Sequence, residues 1–215
     1  MIHNFSNTNS IFNTFLAELR NVDIQNDPLR FRKNLERIAE IMAYEVSKKL
    51  EFTETSVVTP LGEANTHLIK EQPVLATILR AGLAMHNGLL NYFDRAESAF
   101  ISAYRKHSTA EDFEIYVEYI AAPNINGKTI IISDPMLATG SSMVTVYKAL
   151  IQQGKPAKIH IVAAIAHPDA INFVKKHLPD TTEIWVGAID SELTAQSYIV
   201  PGMGDAGDLA YGKKL

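Results

Sequence analysis

Cysteine is absent from the 215 residues, which excludes disulfides, thiolate catalysis and cysteine-ligated zinc or iron–sulfur sites. No apolar run approaches the ~18 residues that a membrane helix needs, so no membrane partner is expected. Charge of neither sign dominates: 20 Lys and Arg stand against 24 Asp and Glu, a net charge of −4. A broad nucleic-acid surface would be strongly basic, so that class is disfavoured, while a local basic pocket for an anionic substrate is not. The first ten residues hold no basic segment followed by an apolar stretch, so no signal peptide is expected and the cytoplasm is the expected compartment. Internal repeats, low-complexity tracts and long linkers are missing too. What is present is 47% hydrophobic and 20% charged residues, a globular composition. A chain of this size buries a full core without covalent or metal staples. One domain spanning 1–215 is expected, with about the first 60 residues forming a helical arm and hairpin.

Ile11, Phe12, Phe15, Leu16 and Leu19 recur at helical spacing behind Ser10. This apolar helix offers a self-association surface, and a homo-oligomer is expected. Asp27-Pro28 reads as an N-cap with proline at the first helical position. Phe31, Leu35, Ile38, Met42 and Val46 then share a face, predicting a helix to about Leu50. Phe52 to Pro60, rich in Thr and Val, reads as a strand and as half of a hairpin. From Pro73 the pattern alternates. Strand-type runs at Val74–Leu79, Ala99–Tyr104, Thr129–Ser133, Ile159–Ala166 and Ile184–Val186 are separated by helical segments near Leu83–Phe93, Ser142–Gln153 and Pro168–His177. Ile115–Ile120 reads as an antiparallel strand. Such alternation with near-continuous apolar strands predicts an α/β fold, a mostly parallel sheet flanked by helices on both faces.

Ligands of open α/β sheets bind outside the carboxyl ends of the strands. Those ends carry Arg80-Ala81-Gly82, then Arg105-Lys106-His107, then the run Asp134 to Ser142, and finally the Gly-rich stretch Tyr198 to Asp208. In the second-last of these, an aspartate precedes Thr139-Gly140-Ser141-Ser142 at a helix start. Free N–H groups and small hydroxyls there can cradle a phosphate. The loop is neither a Walker A sequence nor a dinucleotide fingerprint. On the loop alone, a plain helix N-cap competes evenly with a sugar-phosphate cradle. Each arginine alone reads as the partner of a surface carboxylate; two on the edge that holds the loop suggest a second, highly charged group such as a diphosphate. The Gly-rich tail is too apolar, through Ile199, Val200, Pro201, Met203 and Leu209, for a frayed end.

These residues carry a resemblance. Ile78 to Leu83, Asp134 to Gly140 and Tyr198 to Asp208 closely resemble the three signatures of the uracil phosphoribosyltransferase family, a type I phosphoribosyltransferase group, and the likeness runs from about Arg30 to Gly212. It implies that fold, with an N-terminal helical arm and a small hood. It implies transfer of ribose 5-phosphate from 5-phosphoribosyl 1-diphosphate to uracil, giving UMP in pyrimidine salvage. By the same resemblance, Arg80, Arg105 and Asp205 are the catalytic residues, the two arginines contacting the diphosphate. Asp134 holds ribose hydroxyls, Ala138, Thr139, Gly140, Ser141 and Ser142 cradle the 5′-phosphate behind Pro135, Met136 and Leu137, and Asp205 lies near the donor. Ile199, Gly204, Asp205 and Ala206 bind uracil. Mg2+ is the implied cofactor, carried mainly by the substrate diphosphate, which fits the lack of metal spacing among the seven histidines. GTP is the implied candidate effector.

The chain departs from the family pattern twice. Ser141 replaces a second glycine and would be strained if that position needs positive φ. Lys106 and His107 replace the residues that usually follow Arg105, and Lys106 to Glu114 reads equally as a lid or a solvated hairpin loop. Three rival readings follow: a phosphoribosyltransferase for another base, a regulator that keeps the fold and binds RNA, and an inactive sugar-phosphate binder.

Overall fold

The structure, a computed structural model, describes residues 1–107 and 113–214, with side chains for all of these except 104–107 and 113–116. The chain opens on a short strand β1 (Ile2–Asn4). Ser10 then accepts from the Phe12 N–H and starts α1 (Ile11–Arg20). Asp27 accepts from the N–H groups of Leu29 and Arg30, and Pro28 opens α2 (Pro28–Ser47). Both caps satisfy donors that a helix start leaves free. The hairpin follows, β2 (Phe52–Thr59) pairing antiparallel with β3 (Gly62–Ile69).

Next come β4 (Val74–Leu79), α3 (Leu83–Leu90), β5 (Glu97–His107), β6 (Phe113–Ala121), β7 (Thr129–Ser133) and the two-residue β8 (Met136–Leu137). The chain continues through α4 (Ser141–Leu150), β9 (Lys158–Ala166), α5 (Pro168–His177) and β10 (Glu183–Ile189). A two-strand ribbon, β11 (Glu192–Leu193) with β12 (Ile199–Val200), leads to α6 (Ala206–Tyr211). The main sheet runs β1-β10-β9-β7-β4-β5-β6, with β8 also on β9. Every pairing in it is parallel except β5 with β6. The expected α/β architecture is therefore observed.

Side-chain alternation decides which helices cover which face. Along β7, Ile131 joins α1, α2 and α3 on one face, while Ile130 and Ile132 join α4 and α5 on the other. All three are fully buried, and burying such a side chain contributes about 1.5–3 kcal/mol. Two-sided burial is why these strands read as unbroken apolar runs.

Several expected boundaries shift. The second helix stops at Ser47, three residues before Leu50, and α3 stops at Leu90, before Phe93. Leu50 packs against the core from the following turn, and Phe93, 1% exposed, does so too. Periodicity registered their burial, not their backbone. The strand β1 lacks an apolar pattern altogether. It is held by parallel pairing to β10 and by His3 stacked on Trp185 at 3.7 Å. The apolar face of α1 is not a free surface: Phe12, Leu16 and Leu19 are buried in this chain's own core. Of α1 only its first residue, Ile11, stays largely exposed among these apolar positions, at 62%, whereas on the hairpin Val58 is 81% and Leu61 fully exposed.

The contact between α2 and α3 is set by Gly88. A Cβ there would lie 2.2 Å from the Glu36 carbonyl oxygen and 2.8 Å from the Ala39 methyl. Gly88→Ala must push the two helices apart, which we expect to cost about 2–3 kcal/mol despite the better helix propensity of alanine. Denaturant unfolding of the variant checks this, and an unchanged midpoint would show that the helices part freely.

Candidate active site

Adjacent strands β4 and β7 send the chain in opposite directions. From β4 it goes through α3 to β5; from β7 it goes through α4 to β9 on the other side. A crevice opens beyond the carboxyl ends of strands at such a switch point. The two strands are tied at their ends by a buried hydrogen bond between the Thr77 and Ser133 hydroxyls, 2.9 Å long. A cleft of about 850 Å³ lies beyond it.

Arg80 enters the cleft one residue after β4 and Asp134 one residue after β7. Met136, Ala138 and Ser142 extend the Asp134 side, and Gly204, Asp205 and Ala206 form the opposite wall. Three sequence-distant segments therefore converge on one cavity. Leu137, Thr139 and Gly140 line a smaller recess of about 40 Å³ that shares Asp134, Met136, Ala138 and Ser142 with the cleft. Pro135 and Ser141 border neither cavity, and Ile199 is buried behind the wall at 3% exposure. The Arg105 side chain, Lys106, His107 and the stretch to Glu114 lie outside the described side chains.

Ser141 is not strained. The left-handed residue of the loop is Gly140, φ 79°, which caps α4. Ser141 is the first residue of α4, and among the described residues Ser197, φ 63°, is the one non-glycine at positive φ. The Ser141 N–H donates to the Thr139 hydroxyl at 3.3 Å. The other N–H groups ahead of Val144, whose own N–H reaches the Gly140 carbonyl, have no acceptor within the helix.

Arg80 donates through Nη2 to Asp208 Oδ1 and to the Gly212 carbonyl, both at 3.1 Å. Its Nε is buried without a partner. The pair is partly solvated, at 38% and 31% side-chain exposure, so it contributes at most about 1 kcal/mol and an anionic ligand can displace it. Asp205 uses Oδ1 to accept from the Asp208 N–H at 2.9 Å, capping α6, while Oδ2 faces the Tyr198 hydroxyl at 3.4 Å. Removing this carboxylate would therefore cost a helix cap as well as any contact to a ligand.

Several lining residues drew no assignment from sequence: Ala81, Gln196, Ser197, Tyr198, Gly207 and Lys214. All but Lys214 lie in or beside a segment that did, and that adjacency was the available signal. Among the described residues, no group of three or more His, Asp or Glu side chains is placed to hold a metal. No helix among them is long and apolar enough to cross a membrane.

A sequence model described as uracil phosphoribosyltransferase matches residues 7–213. A Porphyromonas gingivalis protein named uracil phosphoribosyltransferase is 56% identical over 206 residues, covering 96% of this chain and 95% of that protein. A Methanococcus maripaludis protein of the same name is 41% identical over 215 residues, covering 99% and 90%. A solved structure of an Aquifex aeolicus protein superposes with a TM-score of 0.87 at 29% identity, over 99% of this chain and 98% of that one.

The Asp134 carboxyl is enclosed by protein except toward the cleft. Loss of water pushes its pKa from 3.8 up to about 7, against a weaker opposing pull from the Met136 N–H. In the unfolded chain the carboxyl ionises near 3.8, so folding takes up a proton between that pH and about 7. A raised carboxyl pKa means stability that is highest below the unfolded value and declines as pH rises through the folded one. Asp134→Asn should thus stabilise the protein by on the order of 2 kcal/mol at pH 8 and hardly at all near pH 4. Denaturant titrations at both pH values check this; an equal gain at both would exclude ionisation as its source.

Proposed function

This chain belongs to the uracil phosphoribosyltransferase family and transfers ribose 5-phosphate from 5-phosphoribosyl 1-diphosphate to uracil, giving UMP and diphosphate, and we propose how its cleft divides that work. The observation that carries the division is the meeting of Arg80, Asp134 and Asp205 on one cleft at the switch point. In the reaction the bond from ribose C1 to the diphosphate oxygen breaks and its electron pair leaves with the diphosphate. Uracil N1 bonds to C1 and gives up its proton.

Arg80 holds the leaving diphosphate, exchanging the solvated Asp208 carboxylate for a more highly charged partner. Its unpartnered Nε supports this, since a second ligand oxygen would satisfy it. Arg105 is assigned the same task on the resemblance. Asp134, in its ionised form, accepts from the ribose hydroxyls. Ala138 to Ser142, framed by Pro135, Met136 and Leu137, receive the 5′-phosphate at the start of α4. Backbone groups of Gly204 to Ala206, with Ile199 behind them, read the edge of uracil. Asp205 Oδ2, the oxygen not spent on the cap, orients the base or takes its proton. Positioning and charge stabilisation do the catalysis, as the donor already carries a good leaving group.

Mg2+ suits this donor set. It would be held mainly through the substrate diphosphate, and Asp134 and Asp205, which line the same cleft, are the hard oxygen groups that would receive its bound waters. When bound it neutralises diphosphate charge. GTP is retained as an effector on the resemblance alone. The homo-oligomer is retained on different grounds from the first helix: the exposed apolar tip of the β2–β3 hairpin supports a seat on a second copy.

UMP formation from uracil, the diphosphate donor and Mg2+ tests the assignment directly. Arg80→Ala should raise the donor KM about 10- to 100-fold, the worth of one or two charge-assisted hydrogen bonds. An unchanged donor KM would remove Arg80 from the diphosphate site. Val58→Glu with Leu61→Glu should lower the solution mass toward that of one chain in light scattering. An unaltered oligomer would exclude the hairpin as the contact.

A further inference from the structure

Arg20, the last residue of α1, turns its guanidinium onto Asp190, the residue after β10. The pair is bidentate, Nη1 to Oδ2 at 2.6 Å and Nη2 to Oδ1 at 3.0 Å. The same two side chains grip the backbone of Gly202 from both sides. Arg20 Nη1 donates to the Gly202 carbonyl at 3.1 Å, and Asp190 Oδ2 accepts the Gly202 N–H at 2.9 Å.

Gly202 cannot be replaced at that point. Its φ is 55°, and a Cβ would lie 2.0 Å from the Ile199 carbonyl oxygen. The next residue, Met203, is 2% exposed in the core. A second tie comes from Gln25, whose Nε2 donates to the Arg20 carbonyl at 3.0 Å. Its Oε1 lies 3.7 Å from where a Cβ on Gly204 would stand. The segment Gly204 to Ala206 therefore enters the cleft from a turn whose polar backbone groups are held by the arm and the sheet. Neither Arg20 nor Asp190 lines the cleft.

We propose that Arg20 and Asp190 are positioning residues for the base: their ion pair fixes the Gly202 turn and so sets where Gly204 to Ala206 meet uracil. This rests on the reading of those residues as the base-binding segment. An ion pair serving only to hold α1 against β10 would not need to engage both polar groups of one glycine. Replacing such a pair by apolar residues is often neutral or stabilising, so stability alone gives weak reason for it. Misplacing a binding segment by about 1 Å can cost up to about 100-fold in rate.

The test varies uracil and donor separately in steady-state kinetics of Arg20→Ala, Arg20→Lys and Asp190→Asn, well below each variant's unfolding temperature. We expect the uracil KM to rise about tenfold or more in Arg20→Ala, less in Arg20→Lys, with the donor KM within about twofold of the parent. If Arg20→Ala does not fold, Arg20→Lys decides. Both KM values moving together, or neither moving while only the active fraction falls, would overturn the proposal. Ala206→Val, which intrudes on the segment directly, is the reference. Should it raise the uracil KM while the folded Arg20 and Asp190 variants do not, positioning is wrong and the base site stands. Should it leave the uracil KM unchanged, the base-site reading falls and the positioning proposal falls with it.

Discussion

The hydroxyls of Thr77 and Ser133 meet where β4 and β7 run side by side for the last time. Beyond that bond the two strands part, one chain leaving toward α3 and the other toward α4, and the opening between them has nowhere to go but outward. The placement of Arg80 and Asp134 follows from it. Each is the first residue past its strand, so each is delivered to the opening by sheet register rather than by the fold of a long loop. Sites mounted on rigid strand ends keep their geometry better than sites on loops. The third wall is different in kind. It comes from the far end of the chain, and Arg20, Asp190 and the buried Met203 are among the contacts that hold it there.

That difference explains how much of the molecule was legible beforehand. The strands Val74–Leu79 and Thr129–Ser133 and the helix Pro168–His177 stand in the structure at the bounds read from sequence. Two-sided burial and proline at a helix start are strong local signals. The three segments of the candidate site were also legible, because strand ends are computable from strands and the Gly-rich tail is unusual in composition. What was hidden depended on partners far away in sequence. The strand β1 earns its place through Trp185 and the edge of β10, and nothing in Ile2, His3 and Asn4 announces it. The apolar face of α1 advertised a surface, yet its partners are other parts of the same core. Arg20 and Asp190, separated by 170 positions, could not be paired without the fold.

The local chemistry of the loop at Ser141 shows the opposite case. The concern raised by sequence was one of backbone strain, and the structure answers it one residue earlier: Gly140 takes the left-handed conformation, so Ser141 is free to be any helix-starting residue. A family pattern that reads glycine twice does not by itself require both glycines for backbone reasons. The second position is an ordinary helical one here, and Ser141 lines neither cavity.

One consequence follows from the enclosure of Asp134. A carboxyl with a pKa of about 7 is half protonated at neutral pH. A ligand that uses both its oxygens as acceptors selects the ionised form, so at neutral pH occupancy expels about half a proton per site into the medium. The heat of donor binding would then depend on the ionisation enthalpy of the buffer. Affinity would climb with pH across the neutral range and level off above it. A single acidic side chain at the end of a strand in this way ties the grip on a phosphorylated sugar to the proton concentration around it.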